Sequence, residues 1–534
     1  MADATPFHAG ESLVQGRMGV RERIEPFARR VVRDYMPEQH REFYRQLPFV
    51  VVAARDQQMR PWATVLVNPD GVTRSPDPYS LELRARPLPG DALAQALVTG
   101  CDVGVLGIEL HSRRRNRVNG RIGELSDVGA TLRIEQSFGN CPQHIQPRQW
   151  RRIAATQAPR SRAGDRLDDR QRRWVTGADT CFLATGYRGD GEDPAFGMDA
   201  SHRGGAAGFI EVLDAQTLVW PDYAGNNHYN SIGNLVMDPR LGMLFIDFET
   251  GSLLQLTGRA EIDWMPDRRV WPDAQRLVKL RLEAVNELRG GLPLRWHAEP
   301  RLELRVDEIS QTSEAVRSLW LVNADGSRLP PFRAGQHLPV QVPVAGGQQT
   351  RTYSLSSIPS ERRWRISVKR EPHGRVSTFL HDSIAEGAVL RAGLPVGDFV
   401  LTDMREPLVL VGAGIGVTPL LSLLAEAAGS GRFVTVILAA RNGRQAPLAD
   451  EIRALARGVG ARLHVFYSQP ESGDRAGVDF DTRGRLEATA LRALLPEADF
   501  EAYLCGPQAF VADVTGWLEA IGVDDARIRG ESFG

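Results

Sequence analysis

Leu408-Val409-Leu410-Val411-Gly412-Ala413-Gly414-Ile415-Gly416-Val417-Thr418-Pro419-Leu420-Leu421 decides how the last part of this 534-residue chain folds. Leu408 to Val411 form an apolar run of the kind that is buried on both faces of a parallel sheet. Glycines then alternate with other residues, so the backbone can turn sharply and a ligand can approach it closely. Thr418 suits the cap of a helix and Pro419 its first position. Strand, glycine turn and helix start together present backbone N–H groups and a positive helix end at the strand's carboxyl edge. A dinucleotide pyrophosphate can sit there. The pattern is G-x-G-x-G-x-T-P rather than G-x-G-x-x-G, and a glycine turn alone also occurs where nothing binds.

Around this stretch the pattern is α/β. Strand-like runs at 433–439, 462–466 and 500–504 alternate with a helical run at 449–457, as in a doubly wound parallel sheet covering 405–534. Upstream, short β runs at 302–306, 318–322 and 337–342 predict a small antiparallel barrel over 297–404.

The front half has a different grammar. Residues 1–45 read as polar helix, as in Arg21-Glu22-Arg23-Ile24-Glu25. Strand-rich segments follow at 49–54 and 62–67, with Asn68-Pro69-Asp70-Gly71 as a turn. An internal repeat is then visible. Gly104-Val105-Leu106-Gly107-Ile108-Glu109 runs on to Gly120-Arg121. Gly242-Met243-Leu244-Phe245-Ile246-Asp247 runs on to Gly258-Arg259 with the same spacing. Two tandem β-barrels, at 46–150 and 173–265, account for this. An arginine-rich connector of helix and loop at 151–172 joins them. An amphipathic helix over 270–288, with Leu277, Leu280, Leu282, Val285 and Leu288 on one side, lies in a helical linker at 266–296.

Composition narrows the function classes. The formal net charge is −1, so neither nucleic acid nor a membrane surface is an expected partner. Basic residues are arginines except Lys279 and Lys369. Cys101, Cys141, Cys181 and Cys505 are too scattered for zinc or iron–sulfur spacing, and they fit a reduced cytoplasmic setting. The first residues lack the basic and apolar pattern of an export signal.

The last 235 or so residues carry a series of ordered motifs. They are Arg351-Thr352-Tyr353-Ser354, Gly374-Arg375-Val376-Ser377-Thr378, Gly397-Asp398-Phe399, Gly412 to Pro419, Cys505-Gly506-Pro507 and Glu531-Ser532-Phe533-Gly534. In this order the segment resembles the ferredoxin–NADP reductase superfamily, in its flavohaemoglobin and oxygenase-reductase flavour. The resemblance implies a flavin barrel followed by an NAD(P) domain. It implies FAD held by Arg351, Thr352, Tyr353, Ser354, Gly374, Val376, Ser377, Thr378 and Phe533. Arg351 offers a fork for a phosphate, Tyr353 a ring for the isoalloxazine, and Ser354 a hydroxyl near its N5 edge. Phe533 would cover the other flavin face and swing aside for nicotinamide. NAD(P)H would lie on Gly412, Gly414, Gly416, Thr418, Pro419, Arg441, Cys505, Gly506 and Pro507. Ser354, Cys505 and Phe533 are the expected catalytic residues, although a cysteine after a buried strand is also an ordinary core filler. FAD is expected over FMN, which one branch of the superfamily uses. Arg441 and Ser468 leave NADH against NADPH open. No cysteine cluster for a plant-type iron–sulfur domain is present in the sequence, so electrons leave by another route.

In the second repeat, Asp199-Ala200-Ser201-His202-Arg203-Gly204-Gly205, Trp220-Pro221-Asp222-Tyr223-Ala224-Gly225-Asn226 and Ser231-Ile232-Gly233-Asn234-Leu235 stand together. Residues 45–265 resemble the pyridoxamine 5′-phosphate oxidase-like split-barrel superfamily, in its FMN-binding branch. That implies FMN held by Ser201, His202, Arg203, Asn226, Asn230 and Ser231. His202 is an acid or base by this resemblance, and a structural histidine on its residues alone. His111-Ser112-Arg113-Arg114-Arg115-Asn116-Arg117 in the first repeat is a phosphate clamp or a solvated turn, with the turn favoured, and the absence there of a serine–arginine–glycine element like 201–205 favours one FMN over two. Asn140-Cys141-Pro142 is a further motif of the fused family, with Cys141 expected to be buried. Such barrels pair as dimers around flavin, so a homodimer is open, while a tandem repeat supplies both halves in one chain.

The expected protein is therefore a multidomain NAD(P)H-dependent flavin oxidoreductase. It has tandem split β-barrels, an antiparallel flavin barrel and a doubly wound NAD(P) domain. Hydride-derived electrons would pass from NAD(P)H to FAD, then to an FMN-bearing barrel and a small acceptor or oxygen. The alternatives are a reductase for a separate partner protein, with the split barrel as a docking module, or haem in that barrel.

Overall fold

A computed structural model describes residues 5–139, 144–153, 158–271, 273–298, 301–344, 347–359, 361–372, 374–402, 405–428 and 430–533. Two compact units divide the chain, 1–299 and 300–534.

The first unit opens on α1 (Ala9–Arg17), α2 (Arg21–Val31) and α3 (Glu38–Arg45). A seven-stranded antiparallel sheet follows, from β1 (Phe49–Arg55), β2 (Pro61–Val67), β3 (Thr73–Arg74), β4 (Ser80–Leu83), β5 (Asp102–Glu109), β6 (Arg114–Leu125) and β7 (Ala130–Gly139). β8 (Arg148–Arg152), β9 (Arg160–Gly164) and α4 (Asp169–Gly177) lead to a second sheet. That sheet holds β10 (Thr180–Tyr187), β11 (Gly197–Gly204), β12 (Glu211–Asp214) and β13 (Thr217–Asp222). After α5 (Asn230–Met237) come β14 (Arg240–Ile246), β15 (Leu253–Asp263), β16 (Arg276–Arg289) and β17 (Leu294–Ala298).

Strand order is β2-β1-β5-β6-β7-β4-β3 in one sheet and β11-β10-β14-β15-β16-β13-β12 in the other, where β9 also joins β16. Counted within each sheet the two orders are identical. The repeat seen at Gly104–Gly120 and Gly242–Gly258 thus extends to the whole topology. Each long middle strand even carries a register shift at the matching place, Asn119/Gly120 and Thr257/Gly258. One apolar core is shared between the sheets: Val51, Ala53 and Leu106 pack with Phe182, Ala184 and Leu244.

Two expectations are corrected. Residues 276–289 are a strand, not an amphipathic helix. Val278, Leu280 and Leu282 are buried while Lys279, Arg281 and Glu283 are exposed, a period of two. The helical impression came from Val285 to Leu288, where β9 and β15 flank the strand and burial becomes continuous. The sheet accordingly runs past 265 to Arg289. The connector at 151–172 likewise contains strand: β8 pairs with β17 and β9 with β16.

The second unit begins with an antiparallel sheet of β18 (Leu302–Ser313), β19 (Val316–Asn323), β20 (His337–Val344), β21 (Gly347–Ser354), β22 (Trp364–Lys369) and β23 (Val389–Ala392), with α6 (Arg375–Asp382) between the last two. A parallel sheet follows, in the order β27-β26-β25-β24-β28-β29. Its elements are β24 (Leu408–Ala413), α7 (Val417–Ala427), β25 (Val434–Ala440), α8 (Ala449–Val459), β26 (Arg462–Tyr467), β27 (Thr482–Arg483), α9 (Ala488–Leu494), β28 (Glu501–Pro507), α10 (Gln508–Ala520) and β29 (Ile528–Phe533). Val409 and Val411 pack into one core, Leu408 and Leu410 into another, so β24 is buried on both faces. Among the described residues no helix is long and apolar enough to cross a membrane.

Candidate functional sites

In the second unit β24 runs into a tight turn, Gly414–Gly416, and then α7. The cap of α7 is Gly416, not Thr418. Thr418 lies inside the first turn, and its hydroxyl donates to the Ile415 carbonyl at 2.9 Å. Gly416 is obligatory for packing: a Cβ there would sit 2.3 Å from the Cys505 carbonyl oxygen and 2.4 Å from its carbon. Gly414 has φ +56°. Gly412 and Gly414 line a cleft of about 340 Å³ with Leu438, Ala440, Pro447 and Arg453. Arg441 is exposed beyond the end of β25 and is not among the residues lining this cleft. Arg453 of α8, which sequence reasoning missed, is the arginine that lines it.

Arg351, Thr352, Tyr353 and Ser354 end β21, with Ser354 opposite His337 of β20. Ser354 is buried and its Oγ has no hydrogen-bond partner among the described residues. His337 Nδ1 lies 3.7 Å from Glu531 Oε1, and the other Glu531 oxygen is buried without a partner among the described residues. Glu531 pairs with Cys505 across β28 and β29, and Phe533 with Pro507. Ser354, Cys505 and Phe533 are thereby drawn towards one region through His337 and Glu531, neither of which was given a role from the sequence. Cys505 is fully buried, and burial followed by the Glu531 charge pushes its thiol well above the usual range. Burial also raises the Tyr353 hydroxyl. Gly374 caps α6. Ser377 Oγ donates to the Gly374 carbonyl at 3.0 Å and accepts from Glu371 N–H at 3.1 Å. The Thr378 N–H donates to the Gly374 carbonyl at 2.9 Å.

In the first unit Ser201, His202, Arg203, Asn226, Asn230 and Ser231 all line one solvent-open cleft of about 880 Å³. The strand β11 supplies the first three and the segment before and into α5 the others. Arg115 and Arg117 of β6 line the same cleft, so the stretch 111–117 is not a solvated turn. β6 starts at Arg114, and side chains at 115, 117 and 119 share a face; that alternation was the available signal. Arg117 is buried; its guanidinium donates to Asp199 at 2.9 Å and to Ser201 Oγ at 2.5 Å. Ser231 Oγ donates to Ser201 at 2.9 Å. Asp199 also accepts from Asn119 at 2.8 Å and Asn234 at 2.6 Å. Arg203 faces Asp222 at 3.4 Å, and Asp222 faces the fully buried Arg276 at 3.2 Å. At the cleft His144 stacks on Tyr223, with ring centroids 5.2 Å apart.

His202 is buried, and burial, then Arg115 and Arg203, hold it well below the usual histidine range. Its Nδ1 lies 3.2 Å from Arg115 Nη1. A guanidinium has no acceptor, so Nδ1 accepts and the neutral ring carries its proton on Nε2. His202 is therefore an N–H donor rather than a base. Behind the cleft, Glu11 of α1 is buried and accepts from Asn230 and from His8 N–H, the latter at 2.9 Å. Burial and Asp199 raise its carboxyl well above the usual range. The Asn230 amide is thus engaged by the protein. Cys141 lies outside the described residues. Among the described residues no group of three His, Cys, Asp or Glu could hold a metal ion.

Comparison with known proteins matches residues 303–401 to the oxidoreductase FAD-binding domain family and residues 410–516 to the oxidoreductase NAD-binding domain family. A flavohemoprotein of Pseudomonas aeruginosa is 40% identical over 316 residues, 58% of this chain and 75% of the relative. One of Deinococcus radiodurans is 40% identical over 228 residues, 42% of this chain and 56% of the relative. The crystal structure of the flavohem-like FAD/NAD binding domain of nitric oxide dioxygenase from Vibrio cholerae is 34% identical, covering 44% of this chain and 98% of that one, with a TM-score of 0.40.

Proposed function

Through its FAD- and NAD-binding domains the chain belongs to the flavohemoprotein family of oxidoreductases, and from that premise we propose an NAD(P)H-dependent enzyme with a second flavin site in its first unit. The second unit is an FAD- and NAD(P)-binding electron-transfer module. A bound flavin supplies two-electron acceptance of hydride from the nicotinamide and release of those electrons to an acceptor.

The residues of the second unit then have defined tasks. Ser354 keeps an unpaired hydroxyl, which fits a hydrogen bond to the flavin edge. Arg351 and the first amides of α6 fit its phosphates, and Tyr353 its ring. Gly412, Gly414 and Gly416 bring backbone to the nicotinamide nucleotide. Cys505 stays a neutral thiol at the strand end, and Phe533 would cover a bound flavin and give way to the nicotinamide.

In the first unit the reading rests on one observation: six residues read as an FMN site line a single cleft together with Arg115 and Arg117. Arg115, Arg117 and Arg203 suit a phosphate, Ser201 and Ser231 add hydroxyls, and His202 adds a neutral N–H. His144 and Tyr223 offer flat surfaces to a planar ring. A small oxidisable or reducible molecule, or oxygen, is the proposed acceptor. Three free thiols among the described cysteines fit a cytoplasmic location.

Extraction and quantitation of cofactors tests this. One FAD and one FMN per fully loaded chain are expected. A chain that holds FAD alone would leave the first unit as a docking module of a reductase serving a separate protein.

A further inference from the structure

The two sheets of the first unit meet as a fused two-fold pair. Gly104 of β5 lies against β11: a Cβ on it would fall 2.8 Å from Asp199 Cα and 2.5 Å from the Met198 carbonyl oxygen. Gly242 of β14 lies against β2: a Cβ there would fall 2.9 Å from Trp62 Cα and 2.4 Å from the Pro61 carbonyl oxygen. The register makes these pairs equivalent. Ala53 stands opposite Gly104 and Ala63, and Ala184 opposite Gly242 and Ala200.

Stepping along the same ladders, Thr64 answers to Ser201, Val65 to His202 and Leu66 to Arg203. On the long strands Gln255, opposite Leu244, answers to Arg117, opposite Leu106. Leu253 answers to Arg115 in the same way. Trp62 stands where the counterion Asp199 stands. Arg115, Arg117, Asp199 and Arg203 thus each have an uncharged residue at the mate position.

The mate is also closed by its own side chains. Gln255 donates to the Ala63 carbonyl at 2.9 Å and to Asp91 at 3.1 Å. Its oxygen accepts from Ala92 N–H at 3.1 Å and from Asn286 at 2.9 Å. Asn286 also donates to the Gly90 carbonyl at 2.9 Å. Thr64 donates to Asp91, which accepts from Leu93 N–H at 2.8 Å too. Thr64 and Gln255 have 0% exposure. Where Ser231 meets the strand hydroxyl of the cleft, a carboxylate meets it here, a group that repels anions.

We infer that the first unit carries two sites related by its internal two-fold, of which one takes a single phosphate-bearing ligand and the other has become a polar seal, with Arg117 against Gln255 as the deciding pair. This rests on the FMN reading above and adds the physical reason for its stoichiometry and its specificity-determining residue.

The test uses the full chain with FAD in the reductase site, titrated with FMN, and counts both flavins after chromatographic separation. One FMN per chain is expected. R117Q, which copies the sealed side, should weaken FMN binding roughly 100-fold or more. R115L, which copies Leu253, should weaken it as well and guards against a folding defect in the first variant. Q255A should keep one FMN with affinity unchanged within about threefold while lowering the melting temperature. Two FMN per chain would overturn the inference and leave the FMN reading standing. Loss of FMN in Q255A but not in R117Q or R115L would overturn the assignment of the open side. No FMN at all would remove the ligand reading itself.

Discussion

Arg117 and Ser201 stand 84 positions apart in sequence, on different repeats, and meet at 2.5 Å with Asp199 as the shared counterion of the arginine. The cleft is therefore a product of both repeats, and its cation is set by an acid one step away on the same face of β11. Asp199→Ala leaves the buried guanidinium without its counterion, and breaking such a pair costs about 3–5 kcal/mol. Calorimetry should show a clear drop in the melting temperature of the first unit. A D199A protein as stable as the parent would mean that Arg117 does not depend on this carboxylate.

Ser354→Ala removes a buried hydroxyl that bonds nothing among the described residues. Stability should hold or rise slightly, because an unsatisfied polar group is lost. Hydride transfer from NAD(P)H should slow on the order of 10-fold or more in stopped flow, with FAD content unchanged. A variant that reduces flavin at the parental rate would take Ser354 out of the reacting site.

Gly416→Ala would drive a methyl into the Cys505 carbonyl at 2.3 Å and towards Gly506 Cα at 2.6 Å. Both neighbours are backbone of β28, so neither yields cheaply. We expect about 1–3 kcal/mol of lost stability and a raised KM for the nicotinamide nucleotide. Normal nucleotide binding in G416A would show that the turn and β28 can separate freely.

His228 is buried between Phe7 and Phe138, and burial lowers it from 6.5 to about 4. A lowered base contributes stability that is present above pH about 6.5 and is lost as pH falls towards 4. Unfolding at pH about 5 should thus take up a proton at this site, worth up to about 1.4 kcal/mol per pH unit. Glu11, raised by burial, acts in the opposite direction, so the comparison must be between variant and parent. His228→Phe should flatten the acid side of a melting-temperature profile by about one proton. An unchanged slope would mean that His228 is already protonated in the folded chain.

Much of this was legible beforehand because it is local. Leu408 to Pro419 declared a strand and a turn by composition alone, and the spacing Gly104–Gly120 against Gly242–Gly258 declared a repeat. Ser201, Arg203 and Ser231 lie within about thirty residues of each other, and they line one cleft. What escaped depended on partners far along the chain. Leu280 and Leu282 fit helix and strand equally until β13 and β15 are beside them. Arg115 and Arg117 looked solvated because nothing in their own stretch mentions Ser201 or His202. Thr418 was misplaced as the cap by two residues because the helix begins on a glycine that only Gly416 could be, given Cys505 above it.

The reciprocal contacts of Gly104 and Gly242 have a wider meaning. In an ordinary pair of identical subunits, one codon writes both faces, and any change is made twice. Here each face has its own codon. Arginine at 117 and glutamine at 255 can coexist only because the two halves share a single chain, which frees one half for chemistry and leaves the other to hold the pair together.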